Sequence, residues 1–293
     1  MALGSAATSL IEKVRSDREH GASELARQCL LGIADCARDP NLNDATILRH
    51  GLVQLAHELQ RARPTMVAIS NLVERWLATF AKADTGKLEE TRARAVICAQ
   101  ALIAESEQAA GGAAVHAAEL IGPDKTIITH SLSSTVVRVF ELLGSRATAV
   151  ITESRPPGEG RLLAERLSAL GVATDFISDQ QMGLFAHRAD VALVGADTIA
   201  GDGSVINKAG TYLLALAARD RGMPFYVCFE SFKCSKLGAA DIPLERHDAN
   251  EFAPPKLPNI TAHNVYFDVT PVHLVTAWIA ETGVQQKFSL KTT

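Results

Sequence analysis

Two loops in this sequence carry side chains suited to moving a proton beside a bound anion. The first is residues 194–211, VGADTIAGDGSVINKAGT. Asp197 follows the apolar run Val191, Ala192, Leu193, Val194, which has the length of a buried strand. A carboxylate directly after such a strand is partly desolvated, and this raises its pKa and suits it to proton transfer. The competing role for Asp197 is to cap a helix, although Ile199 and the glycines after it read as a turn tightened at Asp202-Gly203. Asn207-Lys208-Ala209-Gly210-Thr211 then reads as the opening of a helix. Lysine as a point charge, glycine for close backbone approach and a helix N-terminus together make an anion seat.

The second loop follows the run Thr126–Thr129 and reads His130-Ser131-Leu132-Ser133-Ser134-Thr135. Hydroxyls at a helix start cap that helix, and the same geometry offers N–H groups and hydroxyls to an anion. A further run ends in Glu153-Ser154-Arg155-Pro156, followed by Gly158-Glu159-Gly160-Arg161. Arg155 in this glycine-bearing loop is placed to fork onto a phosphate, or to pair with Glu153 or Glu159. Cys228 ends another apolar run, and is either a buried structural thiol or a thiol donated to the site.

Several classes are set aside by what the chain lacks. There is no GxxxxGK[ST] loop and no GxGxxG after the first strand, so no nucleotide cofactor is expected. The five cysteines lack CxxC spacing, which points to reduced thiols and to neither metal site nor disulfide. A formal charge of −4 without a long basic run argues against nucleic acid as partner. No run approaches the roughly 18–20 apolar residues of a membrane span, and no signal peptide is recognisable, so a cytoplasmic location is expected.

The elements that must position these loops divide the chain in two. Apolar residues recur at helical spacing over 2–35 with one break near 19–23, then over 45–63, 65–83 and 88–110. Arg63-Pro64 separates two of these helices, and Gly111-Gly112 is expected to kink or end the last one. Residues 1–118 thus read as an all-helical domain of about four to six helices. Beyond Pro123, β-branched runs at 126–129, 148–152, 174–177, 191–194, 225–228 and 265–269 alternate with helical stretches at 135–143, 160–170, 181–186, 208–220 and 274–281. That alternation predicts βαβ units and a doubly wound parallel sheet over 119–293, with ligands at the carboxyl ends of its strands. The fold class is therefore α/β with a helical N-terminal domain. Residues 236–259 read as a loop over the site or an interface element.

The order ESRPxxEGR, GAD after an apolar strand, DGSVINKAGT, PFYV, ESFK and NVYFDVTP resembles one family. It unites ribose-1,5-bisphosphate isomerases, methylthioribose-1-phosphate isomerases and the alpha, beta and delta regulatory subunits of translation initiation factor two-B. The match is dense over 126–233, resumes at 264–271, and is looser upstream. The resemblance implies a Rossmann-like C-terminal domain, dimers or larger homo-oligomers built on it, and a phosphorylated sugar as ligand. In the isomerases an aldose 1-phosphate held as a furanose becomes its ketose. Their aspartate matches Asp197, which would protonate the ring oxygen or relay a proton. Arg155, Asn207, Lys208 and His130 fall where phosphate and hydroxyls are held, and Arg63 with the His20-Gly21-Ala22 turn would close the pocket.

Two departures stand out. The isomerases place cysteine where this chain has Ser131, and arginine where it has His20. A thiol can ionise at a cationic site, whereas an alcohol cannot without a strong base beside it. Retention of Asp197, Asn207 and Lys208 points to an isomerase, with ribose 1,5-bisphosphate the better substrate. Ser131 points instead to a non-catalytic sugar-phosphate sensor.

Overall fold

A computed structural model describes residues 4–82 and 86–289; the expected helix ends at Ala2 and Ala83 lie outside them. The chain forms two compact units, residues 1–108 and 109–293. In the first, α1 (Gly4–Ser16), α2 (Ala22–Ala37), α3 (Ala45–Ala62) and α4 (Val67–Ala81) precede α5 (Leu88–Ile121). Their apolar stripes supply the core: α2 buries Leu25, Cys29, Leu30 and Ile33, and α3 buries Leu48, Leu52, Leu55 and Leu59. Spacings of three and four residues put each set on one helical face. Asp44 starts α3 by accepting the Ile47 N–H at 2.8 Å. The fully buried Trp76 stacks on Phe80 at 4.6 Å and donates its indole N–H to Ala95 O at 3.0 Å.

Helix α5 runs unbroken through Gly111-Gly112, contrary to the expected kink, and contains the division at 108/109 as well as the boundary at 118 read from sequence. Packing explains Gly112. A Cβ on Gly112 would lie 3.1 Å from Glu281 Cβ, so the missing side chain lets α5 approach that segment closely. Ala113, Ala114, Ala117 and Ile121 join the core under the sheet.

The second unit is built on a seven-stranded sheet. Its strands are β1 (Lys125–Thr129), β2 (Ala147–Thr152), β3 (Ala173–Ile177), β4 (Val191–Val194), β7 (Phe225–Cys228), β9 (Ala277–Ala280) and β10 (Gly283–Gln285), in the order β10-β9-β7-β4-β1-β2-β3. All neighbours pair in parallel except β9 with β10. Helices α6 (Ser134–Leu143), α7 (Gly160–Ala169), α8 (Met182–Phe185) and α9 (Thr211–Asp220) connect the strands. Strand β4 is buried throughout, as an apolar run covered on both faces should be.

Two stretches differ from the sequence reading. Asn207 and Lys208, read as the opening of a helix, instead end strand β6 (Val205–Lys208), and α9 begins only at Thr211. Strand β6 lies between β5 (Thr198–Ile199) and β8 (Phe267–Thr270) in a small antiparallel sheet. The stretch 274–281 is not a helix; it contains β9, which pairs with β7. A short apolar run such as Ala277-Trp278-Ile279-Ala280 fits either state by pattern, and the open sheet edge decides it. Among the described residues no helix is long and apolar enough to cross a membrane.

Candidate functional site

After β1 the chain adds β2 and β3 on one side, then returns to place β4 on the other. The crevice between β1 and β4 is thus the switch point where doubly wound sheets bind ligands. Ser131 follows the end of β1, and Asp197 follows the end of β4. Gly195 permits the two loops to close on each other, since a Cβ there would meet Ser133 Oγ at 2.4 Å. The N–H of Asp197 donates to Ile206 O at 3.0 Å, which ties this loop to the small sheet carrying Asn207 and Lys208.

Ser131 and Ser154 both have left-handed backbones, with φ of 73° and 58°. Non-glycine residues held there are strained, and such strain concentrates at functional sites. The Ser131 N–H donates to Ser154 Oγ at 2.8 Å. Asp179, beyond β3, accepts the N–H groups of Ser154 and Arg155 at 2.8 and 2.7 Å and so pins the β2 loop. Gly160 closes that loop against β2: a Cβ there would fall 1.9 Å from Thr152 O. The Arg155 side chain is exposed beside this frame.

His130 was expected among the substrate-holding residues, but its ring is buried and both nitrogens are engaged inside the protein. Nε2 is 2.9 Å from Ala209 O, a pure acceptor, and therefore carries the proton. Nδ1, 2.6 Å from Thr152 Oγ1, then accepts from that hydroxyl, and Thr152 Oγ1 accepts from Ser154 Oγ at 2.9 Å. Burial lowers the imidazole pKa, outweighing the Ala209 bond and the charges of Asp179 and Glu159, so the neutral ring fits this chain of bonds. His130 braces the loops around Ser131.

Around Ser131 the polar groups converge on Glu159. Its Oε1 accepts from Ser131 Oγ and, at 3.5 Å, from the Leu132 N–H. Its Oε2 lies 3.1 Å from Lys208 Nζ, with both side chains almost buried. Lys208 Nζ also sits 4.3 Å from the centre of the Tyr266 ring. Asn207, buried, donates to Thr211 Oγ1 at 3.0 Å.

The helix N-terminus read as the anion seat is already filled. Asp268, on β8, accepts the N–H groups of Gly210 at 2.7 Å and Tyr212 at 3.1 Å. Burial raises its pKa to about 6 against the lowering effect of those two bonds. Cys228 is also no donor to the site. Its buried thiol reaches Ala113 O at 3.5 Å, and burial pushes its pKa up.

Within the helical unit, Arg63 and the His20-Gly21-Ala22 turn meet at Asp17. Arg63 Nη1 donates to Asp17 O at 3.1 Å, and His20 Nδ1 lies 2.8 Å from Asp17 Oδ2. Burial works to raise the Asp17 pKa, but hydrogen bonds and charge from His20 outweigh it and hold the carboxyl below its usual range. Gly21 caps α2, and Ala22 is buried.

Glu159, Asp179 and Asp268 take part in the candidate site's hydrogen bonds, and sequence reasoning passed over them or assigned them elsewhere. Glu159 had a signal, its place in the loop of Arg155. Asp179 and Asp268 had none, because their partners lie 24–25 and 56–58 residues away.

Fold and site together define a helical unit followed by a doubly wound α/β unit with an acid–base cluster at its switch point. Residues 18–287 match the initiation factor 2 subunit family, and the chain belongs to it. A Pyrococcus horikoshii protein named putative translation initiation factor eIF-2B subunit 2-like is 34% identical over 281 residues, 94% of each chain. The ribose 1,5-bisphosphate isomerase of Archaeoglobus fulgidus is 31% identical over 283 residues, covering 93% of this chain and 87% of the other. The crystal structure of the P. horikoshii eIF-2B aligns with TM-score 0.83 at 32% identity, covering 96% of this chain and 97% of that one.

Proposed function

We propose that the α/β unit binds a furanose 1-phosphate at the β1–β4 switch point and isomerises the aldose to the ketose, with ribose 1,5-bisphosphate as the preferred substrate. The observation that carries this reading is the cluster Ser131–Glu159–Lys208 beside the end of β1, with Asp197 on the loop after the neighbouring strand β4. Relatedness to a ribose 1,5-bisphosphate isomerase over nearly the whole chain supports it. Asp197 delivers a proton to the ring oxygen as the ring opens. Lys208, Asn207 and Arg155 hold phosphate and hydroxyls, Lys208 as a point charge and Arg155 as a fork. The protein works as a homodimer or larger homo-oligomer joined through its C-terminal unit, in the cytoplasm and without a cofactor.

A second reading, a non-catalytic sensor of the same ligand, is favoured by the serine at position 131 and by a relative named eIF-2B subunit 2-like. Melting curves with ribose 1,5-bisphosphate and with methylthioribose 1-phosphate, run beside assays for ketose, separate the readings. Turnover of the first compound is the expected result. A raised melting temperature without any ketose overturns the isomerase and leaves the sensor.

A further inference from the structure

We propose that Glu159 is the base that takes the proton from C2 of the sugar, with Ser131 as the hydroxyl that orients its carboxylate. This rests on the isomerase reading above. The site needs a group that is unprotonated at neutral pH and lies next to the reacting carbon. Carboxylic acids ionise near pH 4, whereas an alcohol keeps its proton unless a strong base removes it. A carboxylate cannot fully deprotonate an alcohol, so in the Ser131–Glu159 pair the hydroxyl is donor and the carboxylate is the basic member.

The pair is built rather than incidental. Glu159 is the N-cap residue before α7, in a loop held by Asp179 and by the close contact of Gly160 with β2. Ser131, strained into the left-handed region, turns its hydroxyl to that carboxylate while its N–H is held by Ser154. Lys208 balances the charge at 3.1 Å, and Glu159 keeps 12% of its side-chain surface open. A bound sugar phosphate can draw Lys208 towards itself, releasing one carboxylate oxygen for the C2 proton.

The proton transfers balance. The C2–H bond breaks to Glu159, its electron pair becomes the second bond of C1=C2, and the bond from C1 to the ring oxygen breaks. That oxygen takes the proton of Asp197. The C2 hydroxyl of the enol then returns a proton to Asp197 while C1 receives the one held on Glu159, giving the ketose with no net change in protons.

Steady-state assays and C2–H exchange in D2O with ribose 1,5-bisphosphate test this on wild type, Glu159→Gln, Glu159→Asp and Ser131→Ala. Loss of a positioned base is expected to lower kcat of Glu159→Gln by about 10²–10⁴-fold and to stop exchange. Its KM stays the same or falls, because Lys208 is freed for phosphate. Ser131→Ala, which keeps the base and loses only its orienter, should lose roughly tenfold. If Glu159→Gln does not fold by circular dichroism, Glu159→Asp decides: a folded variant with wild-type kcat overturns the proposal. Turnover by wild type and Glu159→Gln alike removes Glu159 as base and leaves the isomerase reading standing. A wild type with neither turnover nor exchange overturns both.

Discussion

At the level of single residues, the most informative is Asp268. The sequence places a lysine, a glycine and a helix start in one short run, and that pattern reads as a phosphate seat. In the folded chain the Asp268 carboxylate takes that seat from 58 residues away in sequence, bonding the N–H groups of Gly210 and Tyr212. Its raised pKa has a measurable consequence. Between the ordinary value of 3.8 and about 6, the folded chain holds a proton that the unfolded chain has released. The contribution of this group to stability is therefore largest at low pH and is lost as pH rises through that window, by up to about 1.4 kcal/mol per pH unit. Denaturant midpoints of wild type and Asp268→Asn, compared from pH 4 to 7, should diverge in slope in that range. Parallel curves would show that Asp268 titrates normally.

At the level of elements, the loops after β2 and β4 each depend on a glycine where an added side chain would clash. Gly160 is the clearest case, because a Cβ there overlaps Thr152 O. Gly160→Ala should destabilise the protein by about 3 kcal/mol or more, as steric overlap in a packed segment does. Gly183, on the exposed side of α8 with nothing within 4 Å of an added Cβ, is the control. Gly183→Ala should be neutral or stabilise by up to about 1 kcal/mol through helix propensity. Urea unfolding of the two variants checks both, and equal effects would contradict the account of Gly160.

The legibility of the sequence follows the same division. Strands such as β1, β2 and β4 announce themselves because a buried parallel strand is an unbroken β-branched or apolar run. Helix α5 hid its continuity, since a glycine pair reads as a helix break, whereas here Gly112 admits Glu281. Strand β9 was misread as helix because its pattern has no preference until β7 offers it an edge. Within the site, Asp197 and Ser131 were visible from their place after strands, and Lys208 from a run that reads as a helix start but ends strand β6. Glu159 showed only its place in the loop of Arg155; its pairing with Ser131 and Leu132 across 27–28 residues, like that of Asp268 with Gly210 across 58, leaves no local mark.

For the whole molecule, the doubly wound sheet places two loops of opposite chemical character across one crevice. After β1 lies a hydroxyl bonded to a carboxylate that is paired with an ammonium; after β4 lies a second carboxyl. Proton removal on one side and proton delivery on the other is what ring-opening isomerisation asks of a site. Proton NMR in D2O following ribose 1,5-bisphosphate with wild type and Asp197→Asn tests that claim most directly. Conversion to the ketose bisphosphate by wild type, reduced by about 10²-fold or more in Asp197→Asn, is the expected result. An unchanged spectrum with stoichiometric wild type, or equal conversion by both proteins, would contradict it.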